Sequence, residues 1–503
     1  MCRRMALLTL FLSGLCNVLA ADPKPNVVLI YADDLGYGDV SCYGAKRVST
    51  PNIDRIAREG IRFTDGHCSS GTCTPSRFSM LTGEYAFRKS GTGVLPGNAP
   101  LIIPPTTHTL AKVFQQSGYA TGVVGKWHLG LGGPEGPDWN GNIRPGPAEV
   151  GFGESFIIPA TGDRVPCVYV ENGRVAGLDA NDPIEVSFKE KVGKEPTGRA
   201  NPDLLKMRWH HGHDMTIIKG ISRIGWMSGG KAALWEDETM ADTLAQKAVR
   251  FIEKHKKEPF FLYFGLHDIH VPRVPHPRFA NKSGMGPRGD CILQADFCVG
   301  EILKTLDKQG LAGNTILLFT SDNGPVVNDG YHDDAVIKLG DHKPAGPLRG
   351  GKYSNFEGGT RVPFLLRWPE KVKPAVSDAL VCQVDFLASF AKLLQQTTTR
   401  GDGPDSLDML TAFLGHDPTG RKLLVEHANR LSLRQGTWKY IEPGKGPKRA
   451  PGTDTELGQD PAGMLFDLSR DLGETTNLIG SQPERAKAMA AKLLEIRSAK
   501  SHR

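Results

Sequence analysis

The chain is organised around the stretch Cys73-Thr74-Pro75-Ser76-Arg77-Phe78-Ser79-Met80-Leu81-Thr82-Gly83. A loop of small residues precedes it, and Pro75 and Gly83 stand where a helix tolerates proline in its first turn and where it ends at glycine. The pattern predicts a helix with Cys73 at its N-terminus beside Arg77, a place that favours an anionic ligand. For Cys-x-Pro-Ser-Arg alone, a small buried cysteine before an ordinary helix is the alternative. The full eleven-residue run argues against it.

Two carboxylates follow the first apolar run of the mature chain. Residues 26–31 are apolar and rich in β-branched side chains, which indicates a buried parallel strand. Asp33 and Asp34 follow, at the edge where ligands bind in open α/β sheets. Adjacent carboxylates there suggest a hard divalent cation held by oxygen ligands, although Asp-Asp is also common in solvated turns.

A second strand end offers matching oxygen atoms. Residues 315–320 form another apolar run, and Asp322 and Asn323 come directly after Ser321. A carboxylate and an amide oxygen complement Asp33 and Asp34 as ligands of the same kind of cation.

Lys126 and His128 follow the strand predicted over residues 120–124. In extended chain the two side chains point to the same face, so a fixed positive charge and a proton acceptor can share one pocket. For an isolated Lys-x-His, a surface lysine and a packed histidine are the alternative.

His267 and His270 follow the strand predicted over residues 260–264. A His-x-x-His pair on the ligand edge is well placed to give or take a proton, whereas a lone histidine there is usually structural. Lys352 lies on a glycine-rich loop, where the backbone can approach an anion closely.

Strands and helices alternate along most of the chain. Helical spacing covers residues 50–57, 109–116, 238–254 and 290–309. The alternation, with polar clusters at successive strand ends, predicts one large, mainly parallel α/β sandwich.

The region between residues 131 and 238 loses this periodicity, and we expect long loops that select the substrate. His210, His211 and His213 read as loop histidines there, with sugar or sulfate contact as a lesser alternative, because no second ligand cluster matches them. We therefore expect a catalytic domain over residues 22–420 and a smaller α+β subdomain over residues 421–503.

Composition indicates a large globular protein. The 503 residues are 39% hydrophobic and 23% charged. The formal net charge is +6, or +4 without Arg3 and Arg4, and it gives no reason to expect nucleic acid as a partner. Residues 1–21 read as a secretory signal whose apolar run is too short to span a membrane. We expect export to the periplasm or the medium, and no stable membrane span.

Nine cysteines are present, of which Cys2 and Cys16 lie in the expected signal. Without Cys73, six remain. An even number in an exported chain permits disulfides, with 15 pairings if all six join, but large domains also bury free cysteines as small apolar residues. The sequence decides neither.

The stretch 73–83 resembles the signature of the type I sulfatases, the formylglycine-dependent branch of the alkaline phosphatase superfamily. The resemblance implies that a formylglycine-generating enzyme reads Pro75 and Arg77 and oxidises Cys73 to an aldehyde. The choice of group makes chemical sense. A thiolate that attacked a sulfate ester would keep the sulfo group, whereas a geminal diol can attack through one hydroxyl and expel sulfate through the other.

The same resemblance covers nearly the whole mature chain, and its motifs occur in family order. It implies an alkaline-phosphatase-like fold and one calcium ion. The implied metal ligands are Asp33, Asp34, Asp322, Asn323 and the modified residue at Cys73. Arg77 matches the residue that supports the formylglycine, and the implied sulfate-pocket residues are Lys126, His128, His270 and Lys352.

The resemblance also implies a division of labour. Asp322 helps to activate the attacking hydroxyl, and His270, with help from Lys352, protonates the departing alkoxide. His128 takes the proton from the second hydroxyl.

We therefore expect an exported sulfuric ester hydrolase that acts on a sulfated polysaccharide or oligosaccharide, with a simple aryl sulfate as the other substrate class. A phosphate or phosphonate monoester hydrolase on the same fold is one alternative. Ser76 and a single oxygen-rich metal site favour sulfate over a two-zinc phosphatase, which needs more histidines. A catalytically silent binder of sulfated glycans is the other, and the retained acid–base residues argue against it.

Overall fold

The computed structural model describes residues 23–399 and 401–501. The expected signal, residues 1–21, lies outside them. The strands are β1 (Asn26–Ala32), β2 (Ile61–Phe63), β3 (Gly66–His67), β4 (Ala120–Lys126), β5 (Glu154–Ile158), β6 (Val170–Glu171), β7 (Arg174–Val175), β8 (Glu185–Ser187), β9 (Ile217–Ile218), β10 (Ile221–Ser222), β11 (Trp226–Ser228), β12 (Phe260–Gly265), β13 (Thr315–Ser321), β14 (Phe364–Arg367), β15 (Ala375–Ser377), β16 (Val381–Cys382), β17 (Leu423–His427), β18 (Leu431–Gln435), β19 (Trp438–Ile441) and β20 (Met464–Asp467).

The helices that the sequence indicates begin and end close to the expected residues, and several further helices occur. They are α1 (Pro51–Arg58), α2 (Cys73–Thr82), α3 (Leu110–Gln116), α4 (Pro147–Val150), α5 (Met240–His255), α6 (Gly286–Lys308), α7 (Ala335–Lys338), α8 (Glu357–Thr360), α9 (Phe386–Leu393), α10 (Leu410–Phe413) and α11 (Pro483–Ser498).

Ten strands of the described residues form the main sheet, in the order β15-β2-β14-β13-β1-β12-β4-β5-β6-β7. The five central strands, from β13 to β5, run parallel. They are almost wholly buried, because helices cover both faces: α1, α5 and α6 pack together on one side, and α2, α3 and α9 on the other. The expected mainly parallel α/β sandwich is confirmed.

Parallel pairing fixes where the functional segments lie. Ala32 pairs with Ser321, Tyr31 with Gly265, and Gly265 with Gly125. The carboxyl ends of β1, β13, β12 and β4 therefore meet at one edge of the sheet.

A separate antiparallel sheet, in the order β17-β18-β19-β20, lies near the C-terminus with α11 packed against it. Its apolar face shares a core with Tyr85 and Leu380 of the preceding chain. The region 131–238 contains more strand than expected, because β6 and β7 extend the main sheet and β8–β11 form two-stranded ribbons. None of the described helices has both the length and the apolar character that crossing a membrane requires.

Candidate active site

The strand ends at the carboxyl edge of the main sheet surround one buried polar cluster. Asp322 lies at its centre: its Oδ2 atom accepts hydrogen bonds from Arg77 Nε at 3.0 Å and Arg77 Nη2 at 2.8 Å, and its Oδ1 atom accepts one from the Asp34 N–H. Arg77 Nη1 also donates to Tyr263 Oη at 2.8 Å. Helix α2, strand β12 and the segments that follow β1 and β13 thus share one hydrogen-bond network.

Two lysines meet the carboxylates at the end of β1. Lys126 Nζ lies 2.5 Å from Asp33 Oδ2 and 3.7 Å from Asp322 Oδ2. Lys352 Nζ lies 2.8 Å from Asp34 Oδ2. All five side chains are buried. Burial acts to raise the pKa of Asp34, but Lys352 and Lys126 hold it below the usual value.

The oxygen atoms of this cluster fit a hard cation. Asp33 Oδ1 and Asn323 Oδ1 are buried, and neither has a hydrogen-bond partner within the described part of the chain. Bare buried oxygens are costly unless something satisfies them. Asn323 Nδ2 donates to Asp34 Oδ1 at 2.7 Å, which fixes the amide so that its own oxygen stays available. Together with Asp322 the set is the all-oxygen kind that calcium takes.

Asp34 has φ +57°, in the left-handed region that a residue with a side chain rarely adopts. Strain of this kind persists where surrounding structure enforces it, and it is found most often at functional sites. Here the hydrogen bonds to Asp322, Asn323 and Lys352 hold the residue in place.

Cys73 is the first residue of α2 and is buried. Gly83 ends this helix at φ +65°, as expected, with its N–H bonded to the Ser79 carbonyl. Burial raises the pKa of the Cys73 thiol, against the opposing charges of Lys126 and Lys352. The thiol is therefore not activated as a nucleophile in its unmodified form.

His128 presents a free acceptor to the interior. Its Nε2 atom lies 3.0 Å from the Leu95 carbonyl, which can only accept, so Nε2 carries the proton. Its Nδ1 atom is buried, with no partner among the described residues. Burial, reinforced by Lys126, lowers the pKa of His128 well below the usual value. The ring is thus neutral, with its lone pair on Nδ1.

His270 is fixed in the opposite tautomer. Its Nδ1 atom donates to the Val271 carbonyl at 2.7 Å, and its Nε2 atom lies 3.9 Å from Asp34 Oδ2. Burial, reinforced by Lys352, lowers the pKa of His270 well below the usual value. A second proton on this ring therefore goes to Nε2, the atom that faces the cluster.

Sequence reasoning missed one wall of the site. Arg164 Nη1 donates to both carboxylate oxygens of Asp163, at 2.8 and 2.9 Å, and Asp163 Oδ2 lies 2.9 Å from His213 Nε2. Arg164 lies close enough to Cys73, and Asp163 close enough to His270, for each pair to interact electrostatically. His213 is therefore a buried partner in this wall. The signal available was the turn 161–164 directly after β5, at the carboxyl edge.

The structure brings all the sequence-indicated residues to this edge, although their chemical roles stay predictions. His267 stands behind the cluster, where its Nε2 atom accepts a hydrogen bond from the Gly162 N–H at 3.0 Å. It therefore positions the turn that carries Arg164. The cysteines of the described residues are all free thiols.

Comparison with known proteins assigns the family. Residues 25–396 match the family model described as Sulfatase. The chain belongs to the sulfatase family. It is 54% identical over 477 residues to an N-acetylgalactosamine-6-O-sulfatase of Bacteroides thetaiotaomicron, covering 94% of this chain and 93% of the relative. It is also 31% identical to human arylsulfatase A, over 93% of this chain and 86% of that protein.

Solved sulfatase structures agree. A Bacteroides thetaiotaomicron sulfatase, solved in work on the metabolism of multiple glycosaminoglycans, superposes with a TM-score of 0.94 at 54% identity, covering 95% of this chain and 100% of that one. A phosphonate monoester hydrolase of Agrobacterium radiobacter gives a TM-score of 0.57 at 17% identity, which shows a shared fold. The protein is a sulfatase, and its reaction class is the hydrolysis of sulfuric esters.

Proposed function

We propose that this sulfatase is exported and removes 6-O-sulfate from N-acetylgalactosamine in a sulfated glycan, through a formylglycine at position 73 and one calcium ion. The observation that carries the proposal is the buried cluster itself, with Lys126, Lys352, His128 and His270 around residue 73. The 54% identity to an N-acetylgalactosamine-6-O-sulfatase supports the substrate. The signal-like residues 1–21 support export.

The lysines and histidines fit the binding of a sulfate ester. Lys126 and Lys352 bring two buried positive charges to the pocket, where low polarity strengthens their attraction for sulfate oxygens. Asp33, Asp34, Asp322 and Asn323 would hold the calcium ion, which would withdraw charge from the sulfate, and a hydrated formylglycine at position 73 would supply the attacking oxygen. Arg77 keeps Asp322 in place through its paired hydrogen bonds.

The two histidine tautomers assign the proton transfers. His128 Nδ1 is a bare acceptor and takes the proton released at residue 73. The Val271 carbonyl binds the Nδ1 proton of His270, so Nε2, which faces the cluster, has to take up a proton before it gives that proton to the departing sugar oxygen. The negative charge of a bound sulfate ester favours this uptake. The carbonyls of Leu95 and Val271 fix the two rings in opposite tautomers, so His128 exchanges a proton through Nδ1 and His270 through Nε2.

The test is sulfate release by enzyme produced together with a formylglycine-generating enzyme. We expect release from 6-O-sulfated N-acetylgalactosamine, and at least about tenfold less from the 4-O-sulfated isomer or from 6-O-sulfated N-acetylglucosamine. Cys73→Ala lowers kcat by at least about 1,000-fold. Mass spectrometry of the peptide that contains residue 73 detects the aldehyde.

Two results would contradict the proposal. An unmodified thiol throughout an active preparation removes the mechanism. Preference for the matching phosphate ester, or binding of the glycan without turnover, replaces it with one of the other functions considered from the sequence.

A further inference from the structure

A cleft of about 750 Å³ lies outside the candidate active site. Residues 84–93, which follow α2, form one wall. The other wall comes from the C-terminal part of the chain, at the turn between β17 and β18, at Glu442 and at residues 497–500. None of the residues assigned above to the sulfate site lines it.

This cleft carries excess positive charge. Its lining includes Arg88, Lys89, Arg430, Arg497 and Lys500 against two carboxylates, those of Glu84 and Glu442. Burial, with Asp405 nearby, raises the pKa of Glu84.

Some of these cations are already paired. Arg88 binds Asp405 in a buried pair and also donates to the Ala499 carbonyl. Arg497 lies 3.2 Å from Glu442. These contacts hold the wall together.

Lys89, Arg430 and Lys500 have no carboxylate partner in residues 23–399 and 401–501, and of these Lys89 donates to the Ile102 carbonyl. Arg430 and Lys500 remain to bind a ligand. Arg430 lies in the turn between β17 and β18 and is half-buried. Its Nε atom is buried and has no acceptor among those residues. A buried guanidinium N–H without an acceptor is costly, and carboxylate and sulfate groups fit its fork.

Both walls of the cleft are tied to the catalytic loops. His427 exchanges backbone hydrogen bonds with Ser69 and Gly71, at 3.0 and 2.8 Å, just before Cys73. Asn429 Nδ2 donates to the carbonyl of Tyr353, the neighbour of Lys352. On the opposite wall, Leu95 follows Gly93 by two residues and binds His128. The end of the cleft at Gly93, His427 and Asn429 therefore lies next to the loops that carry the site residues, on the side from which an oligosaccharide in the sulfate pocket can extend into it.

We propose that this cleft binds an anionic sugar next to the one that loses its sulfate, with Arg430 and Lys500 as the recognising residues. The inference rests on the proposed function. The ligand class is an acidic oligosaccharide, and its negative group is either a uronate carboxylate or a second sulfate. The cleft makes the enzyme prefer a chain over a single sulfated sugar.

The test compares substrates in the mature enzyme. For a 6-O-sulfated chondroitin trisaccharide we expect Arg430→Gln to lower kcat/KM by about tenfold more than it does for the 6-O-sulfated monosaccharide, mostly through KM. For Lys500→Gln, at an exposed position, we expect the same trend at about threefold. Lys308→Gln is the charge-matched control: Lys308 is exposed at the end of α6, near the opposite edge of the sheet, and it leaves both rates unchanged.

Carboxyl reduction of the trisaccharide separates the two anions. If the uronate is the ligand, carboxyl reduction abolishes the preference of the wild type for the trisaccharide over the monosaccharide. If a second sulfate is the ligand, the preference survives reduction but is absent for a monosulfated trisaccharide. The proposal is overturned if both variants lose kcat/KM equally on the trisaccharide and the monosaccharide, or if neither variant loses kcat/KM on either substrate. Calorimetry can also measure binding of the trisaccharide to the Cys73→Ala enzyme, with and without Arg430→Gln. This measurement tests the cleft separately from the proposed function, because it does not require sulfate release from the monosaccharide.

Discussion

Arg77 shows how a single side chain can hold the site together. It lies one helical turn after Cys73 and is fully buried, and its guanidinium donates to Asp322, to Tyr263 and to the Lys126 carbonyl. A planar fork with several fixed donors can satisfy all three partners, and an ammonium cannot.

Arg77→Lys tests this role. We expect the free energy of unfolding to fall by about 3 kcal/mol, because a buried carboxylate loses paired donors, and kcat/KM to fall by about 100-fold as Asp322 shifts. Urea denaturation and sulfate release measure the two. Mass spectrometry of the peptide that contains residue 73 gives the fraction of modified enzyme, by which the rate is normalised, since Arg77 also belongs to the stretch implied to direct the modification.

Arg144→Lys, in an exposed pair with Glu149, is the control and changes the free energy of unfolding by less than about 0.5 kcal/mol. Equal effects in both variants contradict the assignment.

Among the elements, the pairing of β4 with β12 aims Lys126 at the cluster. Gly125 has φ +98°, and a Cβ atom added there would lie 1.8 Å from the Gly265 carbonyl oxygen of β12. The strands approach this closely only because the residue before Lys126 has no side chain.

Gly125→Ala is therefore expected to destabilise the fold by more than about 3 kcal/mol, because backbone strain and a backbone clash add. Gly44→Ala is the matched control: it has φ +105° but no neighbouring atom within 4 Å, so the backbone term of about 1 kcal/mol acts alone. Denaturant unfolding of both variants gives the comparison. A difference below about 1 kcal/mol shows that the strands can separate without cost.

Helix α8 meets the C-terminal sheet through buried charges. Glu474 Oε2 accepts a hydrogen bond from the Glu357 N–H at 2.6 Å, whereas its Oε1 atom has no hydrogen-bond partner in the described residues and lies 4.0 Å from Lys439 Nζ. Burial, with Glu357 and Glu426 nearby and against Lys439, raises the pKa of Glu474 to about 8. The folded protein therefore keeps a proton on Glu474 that the unfolded chain releases above its usual pKa of about 4.5.

The sign of the pH effect follows. Between about pH 4.5 and 8 the native state binds the extra proton, so the free energy of unfolding falls as pH rises. Glu474→Gln removes this fall in the free energy of unfolding. We therefore expect the free energy of unfolding of the variant, measured in urea, to increase relative to that of the wild type between pH 5.5 and 8.5. Glu484→Gln, on the exposed start of α11, gives a pH-independent difference. A constant offset for Glu474→Gln contradicts the raised pKa.

At the scale of the molecule, the central strands of the main sheet, the helices α1, α2, α3, α5 and α6 and most residues of the site could be predicted, because each depends on local patterns. The short strands β6–β11 and helices such as α9 were not predicted. Apolar runs located β1, β12 and β13, and the parallel arrangement then carried Asp33 and Asp322 to one edge. Arg164 and His213 could not be found in this way. Their region has no periodicity, and their role depends on contacts with Asp163 that only folding creates.

The proposed calcium site depends on the entire fold, since Asp33 and Asn323 follow strands almost 300 residues apart in sequence. A cation that binds only the folded state stabilises it by about 2.7 kcal/mol at a concentration 100 times its Kd. We therefore expect the Tm of the wild type to rise with calcium and to fall when EGTA removes calcium. Excess magnesium should not restore the Tm, because magnesium is smaller and more reluctant to lose water. We expect the rate of sulfate release to fall together with the Tm.

Asn323→Ala removes one of the two bare oxygens and should abolish the calcium dependence of Tm. Asn314→Ala, whose amide binds the Pro23 and Lys24 carbonyls at the other end of the sheet, should keep it. Differential scanning calorimetry with and without chelator distinguishes the two variants. If EGTA leaves the wild-type Tm unchanged, Asp33 Oδ1 and Asn323 Oδ1 need a different partner, and the buried lysines must neutralise the carboxylates alone.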